Sequence, residues 1–372
     1  MLIGIDASRA VTRQRTGTEA YAFQLIQSLI PLATSQGHRL RLYFNQPPPP
    51  GLFPEARGVE QVIIPFPRLW THIRLAWELG SQPPDLFFTP AHVIPLLYRG
   101  VSVATVHDLG YHHFPEAHPR TQLAYLRWST RHNSRVSRRV VADSQATRAD
   151  LIQVDGVPAD KIDVIYPGLD PALKPVTDPV RLAAVQGKYG IQAPYLLTVG
   201  TLQPRKNLVR LVQAYRSSGL PHQLVLAGKA GWLSQPILDE IGRQEAASDG
   251  DQPSIHLPGF VDDQDKAALL SGATALLFPS LYEGFGFPML EAQACGTAVL
   301  CADGSSLPEI AAGSALLVDP LDTRAMTAAI QRIAADSKLR QELIRLGFEN
   351  IRRFSWHDAA ARLLETFAGA AA

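Results

Sequence analysis

The sequence predicts an α/β protein built from two doubly wound, parallel-sheet domains. Three observations lead there. The chain has 372 residues, and a single core rarely grows past ~250–300 residues. Its apolar residues fall in short continuous runs, the pattern of strands buried on both faces of a parallel sheet. Helix-length stretches separate those runs, so strand and helix alternate as in right-handed βαβ units.

Taken in order, the first series of strands is LIGID (2–6), LRLYF (40–44), VIIP (62–65), DLFFT (85–89), VSVATV (101–106), RVVAD (139–143) and DVIY (163–166). The second is YLLTV (195–199), QLVLA (223–227), IHLP (255–258), ALLFP (275–279), AVLCA (298–302) and ALLV (315–318). The break between them falls in YPGLDPALKPVTDP (166–179), which carries four prolines and a glycine directly after a strand. The tetraproline Pro47–Pro50 lies within the first series and reads as a surface loop. RLWTHIRLAWEL (68–79) reads as a helix with Trp70, Ile73 and Trp77 on its core face. FSWHDAAARLLETFAGA (354–370) reads as an amphipathic helix, with Ala359, Leu363 and Phe367 on one face.

Bulk properties exclude several classes. The composition is 46% hydrophobic and 19% charged with a net charge of +1, so nothing points to nucleic acid. Cys295 and Cys301 lie in apolar stretches without metal-ligand spacing, which reads as two buried thiols in a reducing compartment. The N-terminal MLIGIDASRA runs from strand into polar turn and lacks the parts of a signal peptide. No apolar run reaches the ~18 residues of a membrane span. A cytoplasmic protein is expected, without nucleic-acid partners.

Ligands of open α/β sheets bind beyond the carboxyl ends of the strands, and the chemistry-bearing residues gather there. VGTLQPRKNL (199–208) follows the first strand of the second series. Gly200 allows a sharp turn, Arg205 and Lys206 are adjacent cations, and Asn207 suits a helix N-cap. A cationic fork, a point charge and a helix dipole together suit a diphosphate; a solvated basic loop would carry the same residues. RTGTEAYAFQLIQSL (15–29) places Gly17 at a helix start, where a ligand approaches the backbone closely. The dinucleotide fingerprint G-x-G-x-x-G and the P-loop pattern are both missing.

SLYEGFGFPMLEAQACG (280–296) sets Glu283 in a strand-to-helix loop and Glu291 on the helix that follows, with Pro288 in its first turn and Gly296 at its end. Two carboxylates flanking the amides of residues 284–287 suit a ligand rich in hydroxyls. Each glutamate taken alone also fits a capping role.

The run EGFGFPMLE resembles the E-x7-E motif of family-four (group 1) retaining glycosyltransferases, which have the GT-B fold. TGTEAYAFQL, VHDL (106–109), VIYPGLD (164–170), VGTLQPRKN, PGFVDD (258–263) and SSLPEI (305–310) follow in the family's order. The resemblance covers nearly the whole chain and implies the following. Residues 1–170 form an acceptor-side domain, 171–352 a nucleotide-sugar donor domain facing it across a cleft, and 353–372 a helix returning to the first domain. Glu291 binds the ribose; Glu283 and the amides of Phe285, Gly286 and Phe287 hold the donor sugar. Arg205 and Lys206 neutralise the diphosphate beside Gly200, approached by Gly17, and Val261 lies against the base. His107, with Asp108 nearby, orients the reacting sugar. Many members carry Arg where this chain has Thr201. Transfer with retention needs no enzyme nucleophile, because the departing phosphate takes the acceptor proton.

The second block most resembles bacterial mannosyltransferases of surface polysaccharide, so GDP-mannose is favoured over UDP-glucose as co-substrate, with no other cofactor. The alternatives are a UDP-glucose-type hexosyltransferase, a non-catalytic nucleotide-sugar-binding protein, a nucleotide-sugar epimerase and a glycosidase. No metal is expected: Asp249 and Asp251 sit in a polar loop, Asp263 and Asp265 open a helix, and His107, His112, His113 and His118 lack zinc spacing. Residues 117–142 hold no acid but include Arg120, Arg127, Arg131 and Arg135, three of them at helical spacing beside Tyr125 and Trp128. That face suits peripheral contact with the inner membrane surface or the phosphate of a lipid-linked acceptor. A solvated basic face fits as well.

Overall fold

The computed structural model describes residues 1–12, 15, 17–66, 68–91, 93–246 and 254–372. The chain divides into two compact units. The first comprises Met1–His112, Ala124–Gly168 and Phe354–Ala372, and the second His113–Leu123 and Leu169–Arg353.

The first unit carries strands β1 (Leu2–Asp6), β2 (Arg39–Phe44), β3 (Val59–Ile63), β4 (Leu86–Thr89), β5 (Ser102–Val106), β6 (Arg139–Ala142) and β7 (Ile162–Val164). They form one sheet in the order β3-β2-β1-β4-β5-β6-β7, and every neighbouring pair is parallel. The second unit carries β8 (Tyr195–Val199), β9 (Gln223–Ala227), β10 (Ile255–Gly259), β11 (Ala275–Phe278), β12 (Val299–Ala302) and β13 (Leu316–Val318). Their order is β10-β9-β8-β11-β12-β13, again all parallel. Each apolar run forms a strand, with its ends moved by a few residues. The largest change is at β3, an edge strand with one neighbour and mixed exposure, so its polar start VEQ lacks the buried-run signature. Strand order reverses between β1 and β4 and between β8 and β11. Those are the topological switch points where such sheets take ligands.

The central strands of both sheets are buried on their two faces. In the second unit Leu196, Leu224, Leu277 and Leu300 from four strands meet Leu211, Ile330 and Ile333 from the covering helices. In the first, the C-terminal helix Trp356–Ala371 starts on Ser355, whose hydroxyl accepts from the Asp358 amide. It buries Leu363 and Phe367, with Phe367 lying 5.2 Å from Phe88 of β4 and Trp356 5.6 Å from Tyr21. Gly168 makes that docking possible, since a Cβ there would lie 2.2 Å from the Trp356 amide nitrogen.

The segment 68–79 corrects one expectation. Its first turn, Thr71–Leu75, is a π-helix, and the Leu75 amide donates to the carbonyl of Trp70 five residues back. One extra residue per turn rotates the face. The buried stripe is therefore Trp70, Leu75 and Leu79, whereas Ile73 is 51% exposed and Trp77 72%.

Candidate functional site

In the second unit the predicted residues sit at the carboxyl ends of β8 and β11, on either side of the switch point. Gly200 leaves β8 at φ +141°. A short turn, Pro204–Lys206, follows before the helix Leu208–Ser218. Asn207 holds the N-cap position at φ +59°, yet its side chain makes no cap bond. It donates instead to the carbonyls of Pro279 (3.2 Å) and Pro320 (2.7 Å), tying the β11 and β13 loops together. This corrects the expected capping role: in the left-handed conformation the side chain points away from the helix's own amides.

Arg205 and Lys206 converge on Glu283. The Arg205 guanidinium lies 2.7 Å from one carboxylate oxygen and Lys206 Nζ 2.6 Å from the other. Arg205 also donates to the Tyr282 carbonyl, and the Lys206 ammonium lies 5.0 Å from the Phe278 ring centroid. Burial alone would raise the Glu283 carboxyl, but the two cations outweigh it and hold its pKa at about 2. Glu283 is thus a fixed anion and unfit as the proton donor a glycosidase needs. Its backbone is held too: its amide donates to Ser305 Oγ (3.0 Å), and Ser306 Oγ donates to the carbonyls of Glu283 and Phe285.

Gly286 adopts φ +116° and starts the helix Phe287–Ala294, with Pro288 in its first turn. Glu291 lies just past that turn and pairs with Lys266 at 3.0 Å. The charge of Glu291, more than burial opposes it, raises the Lys266 pKa. Val261 is half-buried in the loop after β10, next to Phe260, whose ring lies 4.8 Å from Lys229 Nζ. The β8 and β9 loops touch closely at Gly228, where a Cβ would lie 1.9 Å from the Gly200 carbonyl oxygen.

In the first unit His107 follows β5 and Gly17 begins the helix Gly17–Ser35. His107 Nδ1 lies 2.6 Å from an Asp143 carboxylate oxygen, and Nε2 lies 2.9 Å from the Pro90 carbonyl. The edge of Tyr21 packs on the ring at 4.7 Å. Asp108 accepts from the Gly110 amide at 3.0 Å, which shapes the turn after His107.

Sequence reasoning met Ser305 and Ser306 only within SSLPEI, with no contact assigned to them, and it missed Asp143, Pro90, Lys266 and Gly228. A glycine directly after a strand in QLVLAGK was the one signal that marked any of them. The other histidines part company: His112 lies 3.9 Å from Asp155, His113 stacks on Tyr282, and His118 packs on Trp232. Asp265 is buried against Arg181, Lys188 and Tyr189. Asp249 and Asp251 lie outside the described residues. Among the described residues no cluster of His, Cys, Asp and Glu could hold a metal ion, and no helix is long and apolar enough to cross a membrane. Cys295 and Cys301 are buried and free, and burial pushes both thiols up to about 12.

The Arg-rich helix spans Arg120–Val136. Arg131 donates to Asp155 at 3.1 Å, so this cation has an acid partner despite the acid-free stretch around it. Arg135 is exposed and Arg127 half-buried.

Comparison with known proteins bears on the family and the fold. Residues 186–349 match the family model Glycosyl transferases group 1, and residues 15–173 match Glycosyltransferase Family 4. O-antigen chain mannosyltransferase B of Escherichia coli is 29% identical over 83% of this chain and 80% of its own length. Sucrose-phosphate synthase of Thermosynechococcus elongatus superposes with a TM-score of 0.76 at 21% identity, covering 99% of this chain and 98% of that one. Anabaena Alr3699/HepE, solved with UDP and glucose, gives 0.74 at 19% identity over 99% of both chains. These neighbours carry the GT-B fold.

Proposed function

The chain belongs to the group 1 and family 4 glycosyltransferases, and we propose that it transfers a mannosyl group from GDP-mannose, with retention, to a glycan or lipid-linked acceptor. In this reading the second unit is the donor domain and the first the acceptor domain. The observation that carries it is the convergence of Arg205 and Lys206 on Glu283 beside the β8–β11 switch point. As the glycosidic bond breaks, negative charge builds on the leaving diphosphate. Two cations already held in place stabilise that charge more in the transition state than in the ground state. Glu283 keeps them paired until a diphosphate takes over. Glu291, anchored by Lys266, accepts from the ribose hydroxyls, Val261 lies against the base, and Phe285, Gly286 and Phe287 present amides to the sugar. His107, with Asp108 nearby, helps orient the reacting sugar. No metal enters this reading, because the two cations supply the charge.

The likeness to a mannosyltransferase of E. coli supports mannose; the UDP bound to HepE supports a uridine donor as the second reading. Peripheral contact with the inner membrane surface is part of the proposal. In the first unit Arg127, Arg131 and Arg135 adjoin exposed aromatics: Trp128 packs on His72, one turn before Trp77, and on Tyr125. Cations beside exposed indoles suit an anionic bilayer. Arg120, the fourth cation of that expectation, starts the same helix but belongs to the second unit's segment.

Calorimetric titration with GDP and UDP, with Glu291→Ala as control, tests the donor site. GDP preference lost in the variant supports the reading. UDP preference lost in the same way replaces the donor, and no binding of either overturns the proposal.

A further inference from the structure

We infer that Asp143 is a positioning residue which, together with the Pro90 carbonyl, holds His107 doubly protonated, so that His107 stands as a fixed cation beside the reacting sugar and not as a base. This rests on the reading that His107 meets the reacting sugar. A neutral imidazole has one N–H and one lone pair. The Pro90 carbonyl only accepts, so Nε2, 2.9 Å away, carries a proton. Nδ1 stands 2.6 Å from a carboxylate oxygen, a separation that two bare acceptors would not hold, so a second proton lies between them. A carboxylate is intrinsically the weaker base of the two. The ring therefore keeps both protons, and Asp143 supplies the counter-charge.

The surroundings agree. Asp143 is buried with 3% of its side chain exposed, whereas His107 keeps 20% open. The other Asp143 oxygen has no hydrogen-bond partner among the described residues; burial raises the Asp143 carboxyl, and the charge and hydrogen bond of His107 work against that rise. Burial alone would strip the His107 proton, but Asp143 outweighs it, with smaller help from Asp108 and the Pro90 carbonyl. Among the described residues, the groups facing His107 from other elements are Asp143 after β6, Tyr21 from the helix Gly17–Ser35, and Thr147 from the helix Gln145–Gln153. Tyr21 bonds Thr105 at 3.3 Å, and Thr147 donates to the His107 carbonyl at 3.3 Å; both are uncharged. With no lone pair to offer, the ring cannot take a proton from an acceptor hydroxyl. That step is left to the departing phosphate.

The test is the pH dependence of GDP release from GDP-mannose with water as acceptor, in wild type and in Asp143→Asn. Wild type should keep a flat kcat from pH 5.5 to 8. In Asp143→Asn the ring loses its counter-charge and titrates near or below ~6.5. Its kcat should then fall at least about tenfold between pH 5.5 and 8, with donor KM unchanged. Parallel profiles in the two proteins overturn the inference, whatever their absolute rates. Nitrogen NMR of the His107 ring in wild type gives a second arm, which stands even if Asp143→Asn fails to fold or GDP-mannose is not the donor. Two protonated ring nitrogens at pH 7.5 support the inference, and one bare nitrogen refutes it. A His107→Ala protein with wild-type kcat would refute the role of His107 itself, and the NMR result would still report on the pair.

Discussion

Replacing Glu283 by Gln leaves Arg205 and Lys206 facing a neutral amide in a nearly closed site. The cost follows from the carboxyl's own pKa. The gap between 4.5 and about 2, at ~1.36 kcal/mol per pH unit, is worth ~3 kcal/mol. Glu283, Arg205 and Lys206 expose only 10%, 15% and 12% of their side chains, so solvent screening removes little of it. Because the folded pKa is depressed, this stability is fully present above the ordinary carboxyl value and is lost as pH falls towards 2. The pairing is worth ~3 kcal/mol at pH 7 and ~1 kcal/mol near pH 3. Thermal unfolding at pH 7.5 should therefore place Glu283→Gln roughly 6–12 °C below wild type for a unit of this size, and the difference should shrink in acid. GDP should narrow it as well, because its diphosphate supplies the missing negative charge and stabilises the variant more than the wild type. Equal melting temperatures at pH 7.5, or a difference that persists unchanged at pH 3, would refute the reasoning. A variant that melts low and is not rescued by GDP or UDP would leave the ion triad standing but remove its link to a diphosphate.

Further outcomes follow from other parts of the structure. Gly228→Ala puts a Cβ 1.9 Å from the Gly200 carbonyl oxygen; it should cost about 1–3 kcal/mol in chemical denaturation and weaken nucleotide binding in calorimetry by displacing the β8 loop. Phe367→Ala empties a fully buried position against Phe88; denaturant titration should show a loss of about 3–5 kcal/mol. Trp77→Ser removes a side chain that is 72% exposed. Fold stability should hold, while cosedimentation with phosphatidylglycerol-containing vesicles drops by about tenfold. Equal binding of wild type to phosphatidylcholine alone would remove the charge argument.

Much of the fold was legible because a doubly wound sheet advertises itself. Runs such as YLLTV and QLVLA have no polar face to alternate, and only burial on both sides permits that. The same logic misread 68–79, where Trp70, Ile73 and Trp77 fit an α-helical stripe. A π-turn changes the period without leaving a residue-type signature, since Trp70 and Leu75 are five apart and each is an ordinary helix residue. The close approaches at Gly168 and Gly228 were only half legible: the place of each glycine after a strand could be read, but not the distant backbone it packs against.

The candidate site divides along a sharper line. Glu283, Glu291, Arg205 and Lys206 were legible one by one because each stands in a local motif after a strand. Their pairing was not, because it depends on strand order. β8 and β11 are neighbours, and that adjacency alone brings Lys206 to Glu283 across 77 residues of chain. The same holds for the residue that was missed outright. Val106 of β5 is in register with Ala142 of β6, so the next residue on each strand is His107 on one side and Asp143 on the other. Once the order of the sheet is known, that contact is a consequence of parallel register, and the identity of the residue opposite His107 could have been predicted. Before the order is known, RVVADS is simply a strand ending in a turn-forming aspartate. The chemistry of this protein is therefore written in local motifs, while the pairing that sets its charges is written in topology.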